Sequence, residues 1–277
     1  MQTIGELLTL SHAFVKEKNP SVIKKDVELL FAHILGMPRL DLFCNFEKPV
    51  KEEEKKALRD GLKRLIMNEP LAYIEGKVSF SHLELFVDMS VLIPREETEE
   101  LVSRVTHFFK EKGITSGKVL DLCSGSGAIG LSIKKEFPEM EVSLLDISRD
   151  ALGVAKKNAT LNELEVELIQ SDLFANVQKR EWDFCISNPP YISEEEYNQL
   201  DPSVKLYEPR TALVGGVSGY QFYERIAKEY PQYVKKALFL EVGYNQGKRV
   251  QQLFGKKASL QKDINGHDRF IELLDVS

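Results

Sequence analysis

The alternation of apolar and polar positions divides the chain into three regimes. Over residues 1–72 the apolar positions keep a helical period. Ile4, Leu7, Leu8 and Phe14 or Val15 form one stripe, Asn19-Pro20 interrupts it, and Val22, Val27, Leu29, Leu30 and Ile34 form a second that Gly36 and Pro38 end. A short helix over 40–44 and a charged one over 51–68, with Leu58, Leu62, Leu65 and Ile66 on its apolar side, complete a small helical bundle. Over 73–90 the period shortens to two, in Val78-Ser79-Phe80 and Leu83-Glu84-Leu85-Phe86-Val87, which predicts a β-hairpin linker. From 91 to 277 short apolar runs alternate with amphipathic stretches. Strands are predicted over 118–123, 142–145, 166–169, 184–187 and 237–242, and helices over about 96–112, 148–161 and 220–233. Residues 193–206 read as an acidic loop, 208–216 as a turn-rich segment, and 262–274 as paired strands or a strand after an Asn265-Gly266 turn. Strands alternating with helices predict an α/β fold, a mainly parallel sheet covered on both faces with an antiparallel strand at its end.

Two loops in this scheme carry chemistry. The first predicted strand ends in Asp121-Leu122-Cys123 and runs into Ser124-Gly125-Ser126-Gly127-Ala128-Ile129-Gly130. Gly125 and Gly127 permit a tight turn and close approach of backbone to a ligand, and the helix start that follows supplies unpaired N–H groups. The second strand ends in Asp146, 19 residues after Gly127, an offset suited to a ribose diol. The third leads to Ser171-Asp172-Leu173, and the fourth delivers Asn188-Pro189-Pro190-Tyr191. In an open α/β sheet ligands bind at the carboxyl ends of the strands. Asn188 carries an acceptor and a donor on a backbone held extended by the following proline. Pro189 offers a carbonyl, and Tyr191 a flat ring. Two acceptors converging on an NH2 group, with an aromatic plane behind it, suit a planar amide or an exocyclic amine. Alone, the tetrapeptide also reads as a polar turn; the glycine-rich stretch upstream shifts the balance.

Composition narrows the class. With 277 residues, 43% hydrophobic and 29% charged, the chain suits one large soluble domain plus a small one. No apolar run approaches the ~20 residues of a membrane span. Residues 1–6 lack a basic segment and already contain Glu6, which argues against a secretory signal and for a cytoplasmic address. Cys44, Cys123 and Cys185 are odd in number and widely spaced in apolar surroundings, so reduced, packed thiols are expected. The five histidines show no ligand spacing, and no metal site is predicted. A net charge of -6 implies no whole-chain attraction to nucleic acid. Residues 1–75 balance twelve lysines and arginines against twelve acids.

Taken together, the glycine loop, Asp146 and the Asn-Pro-Pro-Tyr loop resemble the Rossmann-like, class I S-adenosylmethionine-dependent methyltransferases that modify amide or amine nitrogens. Within that group the helical segment in front, Ile93-Pro94-Arg95 with Glu97-Thr98-Glu99, Asn188-Pro189-Pro190-Tyr191-Ile192, and Glu208-Pro209 with Ala212-Leu213 and Gly215-Gly216 look like the HemK-type release-factor glutamine methyltransferases. The resemblance covers essentially the whole chain. It implies transfer of a methyl group from S-adenosylmethionine, leaving S-adenosylhomocysteine, to the glutamine side-chain nitrogen in the Gly-Gly-Gln loop of class-1 release factors. The helical domain would help to hold that protein.

Carried over by position, the resemblance makes Cys123, Ser124, Gly125, Ser126 and Gly127 the cradle of the cofactor's methionine portion, with Asp121 also among the cofactor-binding residues. Asp146 would hold the ribose hydroxyls, and Asp172 and Leu173 would flank the adenine. Asn188 would touch both cofactor and glutamine; Pro189, Pro190 and Tyr191 would bind the glutamine, with Asn188, Pro189 and Tyr191 as the catalytic set. Cys123 replaces a common glycine and Glu96 a common proline; Leu173 stands where some members carry an aromatic. Two rival functions share the pattern. A DNA or RNA adenine-N6 methyltransferase would place an exocyclic amine on the same acceptors, but must also extrude its base and bind phosphates, of which the charge balance gives no sign. A non-catalytic adaptor would keep the fold for docking, and intact Asn188 and Tyr191 speak against it.

Overall fold

The computed structural model describes residues 2–177, 179–274 and 276; Met1, Gln178, Asp275 and Ser277 lie outside the described residues. By contact density the chain forms two units, Met1–Gly76 with Asp201–Tyr207, and Lys77–Leu200 with Glu208–Ser277.

The first unit contains α1 (Ile4–Lys18), α2 (Lys24–Leu35), α3 (Arg39–Cys44), α4 (Glu52–Ile66) and α5 (Leu71–Glu75). Each helix ends where local chemistry requires. Thr3 and Glu6 form a capping box ahead of α1, and Gly36 closes α2 at φ 63°. The side chain of Asn19, just past α1, donates to the Ile66 carbonyl and to Asn68 Oδ1, tying the ends of α1 and α4 together. Leu8, Val15, Leu30, Phe31, Leu58 and Leu62 interlock beneath them.

The second unit opens with a hairpin, β1 (Lys77–Phe80) and β2 (Leu83–Phe86). The predicted linker over 73–90 is therefore divided: residues up to Gly76 fall in the first unit and the hairpin in the second. The physical reason is burial, since Phe80, Leu83 and Leu85 join the same core cluster as Leu101, Val105 and Phe109. Then come α6 (Glu96–Glu111), β3 (Gly117–Leu122), α7 (Ala128–Glu136), β4 (Met140–Asp146), α8 (Arg149–Leu161), β5 (Glu167–Gln170) and β6 (Trp182–Ser187). The stretch read as a loop after β6 holds two short helices, α9 (Glu194–Asn198) and, in the first unit, α10 (Pro202–Tyr207). Ser193 and Glu196 form a capping box at α9, and Tyr207 donates to the Met67 carbonyl at 2.9 Å; glutamates in a first helical turn look like a solvated loop when only polarity is counted. The chain finishes with α11 (Arg210–Leu213), α12 (Gln221–Glu229), β7 (Val234–Glu241), α13 (Gly247–Phe254), β8 (Ala258–Lys262) and β9 (Asp268–Leu274).

The seven-stranded sheet has the order β5-β4-β3-β6-β7-β9-β8, parallel from β5 to β7 and antiparallel where β9 joins β7 and β8. Alternating residues feed opposite faces. Val119, Phe184 and Phe239 pack with α6 and α7, while Leu120, Cys185 and Leu238 pack with α12 and α13. Burial on both faces is why these strands read as continuous apolar runs. Because β4 lies on one side of β3 and β6 on the other, the loops leaving the three strands open a crevice at their carboxyl ends, where the order reverses.

Candidate active site

Asp146 ends β4 with its carboxylate turned across the crevice. Oδ2 accepts the Gly125 N–H at 2.8 Å and Oδ1 the Ser148 N–H at 2.9 Å, so one side chain fixes the loop after β3 and the entry to α8. Each oxygen keeps lone-pair capacity for a further donor. Burial pushes this carboxyl above the usual carboxylate range, with the Ser148 and Gly125 N–H groups opposing it.

Cys123 adopts φ 63° and Leu173 φ 48°, the left-handed region that favours glycine. A cysteine in this conformation carries backbone strain, of the order of 1 kcal/mol or more. Burial drives its thiol well above the ordinary range, which leaves it neutral and a poor nucleophile.

One cavity collects Cys123, Gly125, Asp146, Asp172, Leu173, Asn188 and Pro190 from the predicted set. Its remaining walls include Val91, Leu92, Leu145, Ala212 and Phe222. Other predicted residues stand behind it. Asp121 is fully buried and accepts the Gly130 N–H through Oδ2 at 2.8 Å; burial raises its carboxyl to about 7. The Ser126 carbonyl accepts from Asn158, and Gly127 brings α7 close to Leu144. Asp172 has a second engagement, an ion pair with Arg225 at 2.9 Å. Pro189 is buried, and Tyr191 packs against the core cluster under α12 and α13, beside a separate recess lined by Leu200, Tyr244 and Gln246.

The arrangement fits S-adenosylmethionine. The apolar lining supplied by Leu92, Leu173 and Phe222 suits adenine, and the Asp146 carboxylate suits a ribose diol. Behind the loop, Ser124 Oγ and Asp121 Oδ1 are buried without a hydrogen-bond partner among the described residues, and neither residue lines the cavity.

The tetrapeptide is held from several directions. Asn188 Nδ2 donates to Thr98 Oγ1 at 3.1 Å, and no described residue donates to its Oδ1. The Thr98 hydroxyl donates in turn to Glu241 Oε2 at 2.7 Å, and Tyr223 donates to the Glu241 carbonyl at 3.1 Å. Burial lifts the Glu241 carboxyl to about 7, with the Thr98 hydrogen bond and Arg269 opposing the rise. Gln246 Nε2 reaches the Tyr191 carbonyl at 2.9 Å, and the Ile192 N–H donates to Leu213. Gly215 lies so close that a Cβ there would stand 2.5 Å from the Pro190 carbonyl oxygen. Two further stretches of the sequence pattern meet at Glu208, which is buried, accepts the Ile93 N–H at 3.3 Å and pairs with the Arg95 guanidinium.

Sequence reasoning assigned no role to Glu241 or Gln246. The available signal was a carboxylate closing an apolar strand, Ala237-Leu238-Phe239-Leu240-Glu241, on the same sheet end as Asn188.

Comparison with known proteins gives a consistent picture. Residues 6–76 match the PrmC N-terminal domain family and residues 100–202 the methyltransferase small domain family. A release factor glutamine methyltransferase of Geobacter sulfurreducens is 34% identical over 97% of this chain and 95% of its own length. One from Bacillus subtilis is 36% identical over 98% and 97%. Among solved structures, a methyltransferase from Pyrococcus furiosus aligns with TM-score 0.51 and 17% identity, over 79% of this chain and 98% of its own. A T. thermophilus 16S rRNA N2 G1207 methyltransferase in complex with AdoMet and guanosine aligns with TM-score 0.51 and 15% identity, over 72% and 49%. At such identities these two structures speak for the fold alone.

Proposed function

The chain belongs to the release factor glutamine methyltransferases, and on that premise we propose how its residues carry out the transfer. It is an S-adenosylmethionine-dependent enzyme that methylates the side chain of a release-factor glutamine. The finer assignment is the N5 nitrogen in the Gly-Gly-Gln loop of class-1 release factors, with residues 1–72 holding that protein and a cytoplasmic address to match. No helix among the described residues is long and apolar enough to cross a membrane.

Asp146 and the loop from Cys123 to Gly127 hold the cofactor, and Leu173 with Asp172 flank its adenine. When bound, the cofactor supplies an electrophilic methyl carbon on a sulfonium whose positive charge is discharged by transfer. An amide nitrogen is a poor nucleophile because its lone pair is delocalised into the carbonyl. Asn188 Oδ1 and the Pro189 carbonyl accept its two N–H groups, turn the lone pair towards the methyl carbon and stabilise the positive charge that grows on nitrogen. Orientation and preorganised dipoles carry the rate, and the surplus proton leaves to water after transfer. Tyr191 packs against the amide plane.

The observation that carries this reading is the placement of Asn188. Its Nδ2 is tied back to Thr98, no described residue donates to its oxygen, and Asn188 lines the same cavity as Asp146. The test is to incubate the protein with methyl-labelled S-adenosylmethionine and, separately, a release factor and nucleic acid, then locate the label by mass. Label on the glutamine side chain is the expected result. Label on nucleic acid, or none on release factor, overturns the reading.

A further inference from the structure

We propose that Glu241, acting through the hydroxyl of Thr98, is a positioning residue that fixes the Asn188 carboxamide with its oxygen towards the substrate nitrogen, an inference that rests on the reading of Asn188 above.

Asparagine is nearly symmetric in shape but not in hydrogen bonding, so something must choose between its two amide orientations. A hydroxyl has a single proton. The Thr98 proton is directed at Glu241 Oε2, 2.7 Å away, which leaves only lone pairs for Asn188, and the 3.1 Å contact is filled by Nδ2–H. Turning the amide over would set Oδ1 against an oxygen whose proton is committed elsewhere. Two acceptors would then face each other with nothing between them. The ladder thus runs one way, from amide to hydroxyl to carboxylate, and its sense is set at Glu241.

The relay is dry and stiff. Thr98 is 5% exposed and Glu241 2% exposed, so solvent does not substitute for a lost partner. Thr98 is anchored in α6, and Glu241 closes β7, with its backbone carbonyl also held by Tyr223 of α12. The groups that bear on the Glu241 charge are Arg95 and Glu97 at the start of α6, Arg269 on β9, Tyr191 after β6 and Tyr223 of α12. Burial is the largest influence and raises the carboxyl to about 7. Once protonated, Glu241 can donate to Thr98 Oγ1, which frees the hydroxyl proton for Asn188 Oδ1. Both amide orientations are then satisfied, and the preference is lost.

Single-turnover transfer to a release factor, measured beside cofactor affinity and KM, tests this. Thr98→Val is expected to slow transfer about tenfold or more while shifting cofactor affinity and KM by about twofold at most, and Thr98→Ser, which keeps the hydroxyl, restores most of the rate. Glu241→Gln keeps an acceptor for Thr98 but does not titrate, so the ratio of wild-type to variant rate falls from about pH 8 to about pH 6. Wild-type transfer by Thr98→Val, alongside an impaired Asn188→Ala, overturns the relay and leaves the Asn188 reading standing. Normal transfer by Asn188→Ala overturns both. If Thr98→Val does not fold, the pH ratio decides, and a constant ratio overturns the proposal.

Discussion

The side-chain amide of Asn158 clasps both backbone groups of Phe86: Oδ1 accepts the Phe86 N–H at 2.7 Å, and Nδ2 donates to the Phe86 carbonyl at 3.0 Å. The same Nδ2 reaches the Ser126 carbonyl at 2.9 Å, so one fully buried residue of α8 holds both the end of the hairpin and the glycine loop. Asn158→Ala strands three backbone groups and is expected to cost about 3 kcal/mol. Urea denaturation measures this, and a loss within ordinary surface variation would show that the clasp is dispensable.

Asn188→Ala removes the side-chain acceptor but leaves Asp146 and the glycine loop in place. Transfer should fall about 10²-fold or more, with most of the cofactor affinity kept. Tyr191→Phe should be milder than Tyr191→Ala, since the ring supplies the stacking surface. Single-turnover rates beside calorimetric affinities separate these effects. Near-normal transfer by Asn188→Ala would rule out the mechanism.

Asp121 makes stability depend on pH. Its carboxyl titrates at about 7 when buried, and at about 3.9 in an unfolded chain. Between those values the folded protein holds a proton that the unfolded chain has released, so stability falls as pH rises through this window and the loss is complete above it. Asp121→Asn keeps an acceptor for the Gly130 N–H and abolishes the titration. Denaturant curves for the two proteins should diverge between about pH 4 and pH 7, wild type losing stability relative to the variant. Parallel behaviour would contradict the assignment.

Cys123 holds a left-handed backbone without the freedom of glycine. Cys123→Gly should leave stability within about 1 kcal/mol, because relief of strain offsets the added freedom of the unfolded chain. Cys123→Val, branched at Cβ, should cost about 2 kcal/mol and weaken cofactor binding. Equal stability for Gly and Val would show that the dihedral carries no penalty.

At Gly215 a Cβ would press on the Pro190 carbonyl and lie 2.9 Å from Tyr191 Cα. Gly215→Ala should therefore displace the Asn-Pro-Pro-Tyr loop and lower transfer about tenfold while retaining most of the cofactor affinity. An unaffected rate would mean that the loop yields without cost.

The parallel sheet was legible because strands buried on both faces spell themselves as apolar runs, and helix stops were legible at Gly36 and Asn19-Pro20. That Cys123, Gly125, Asp146, Asp172 and Leu173 line one cavity was legible because they stand at or just past the ends of predicted strands. The helices of 193–206 escaped because their glutamates satisfy a capping box and resemble a solvated loop when counted by polarity. Glu241 escaped for a different reason: its meaning lies in a partner 143 positions away, and no local period encodes that distance.

The Thr98, Asn188 and Glu241 ladder has a consequence for the time order of folding. Its two bonds span 90 and 143 positions, whereas the Asp146 bond to the glycine loop spans 21. Contacts of long sequence separation must close large loops before they return any free energy, so they tend to form late. A refolding chain should therefore regain the latch at Asp146 while the Asn188 amide is still free to turn, and competence to transfer a methyl group should lag behind the return of the nucleotide pocket.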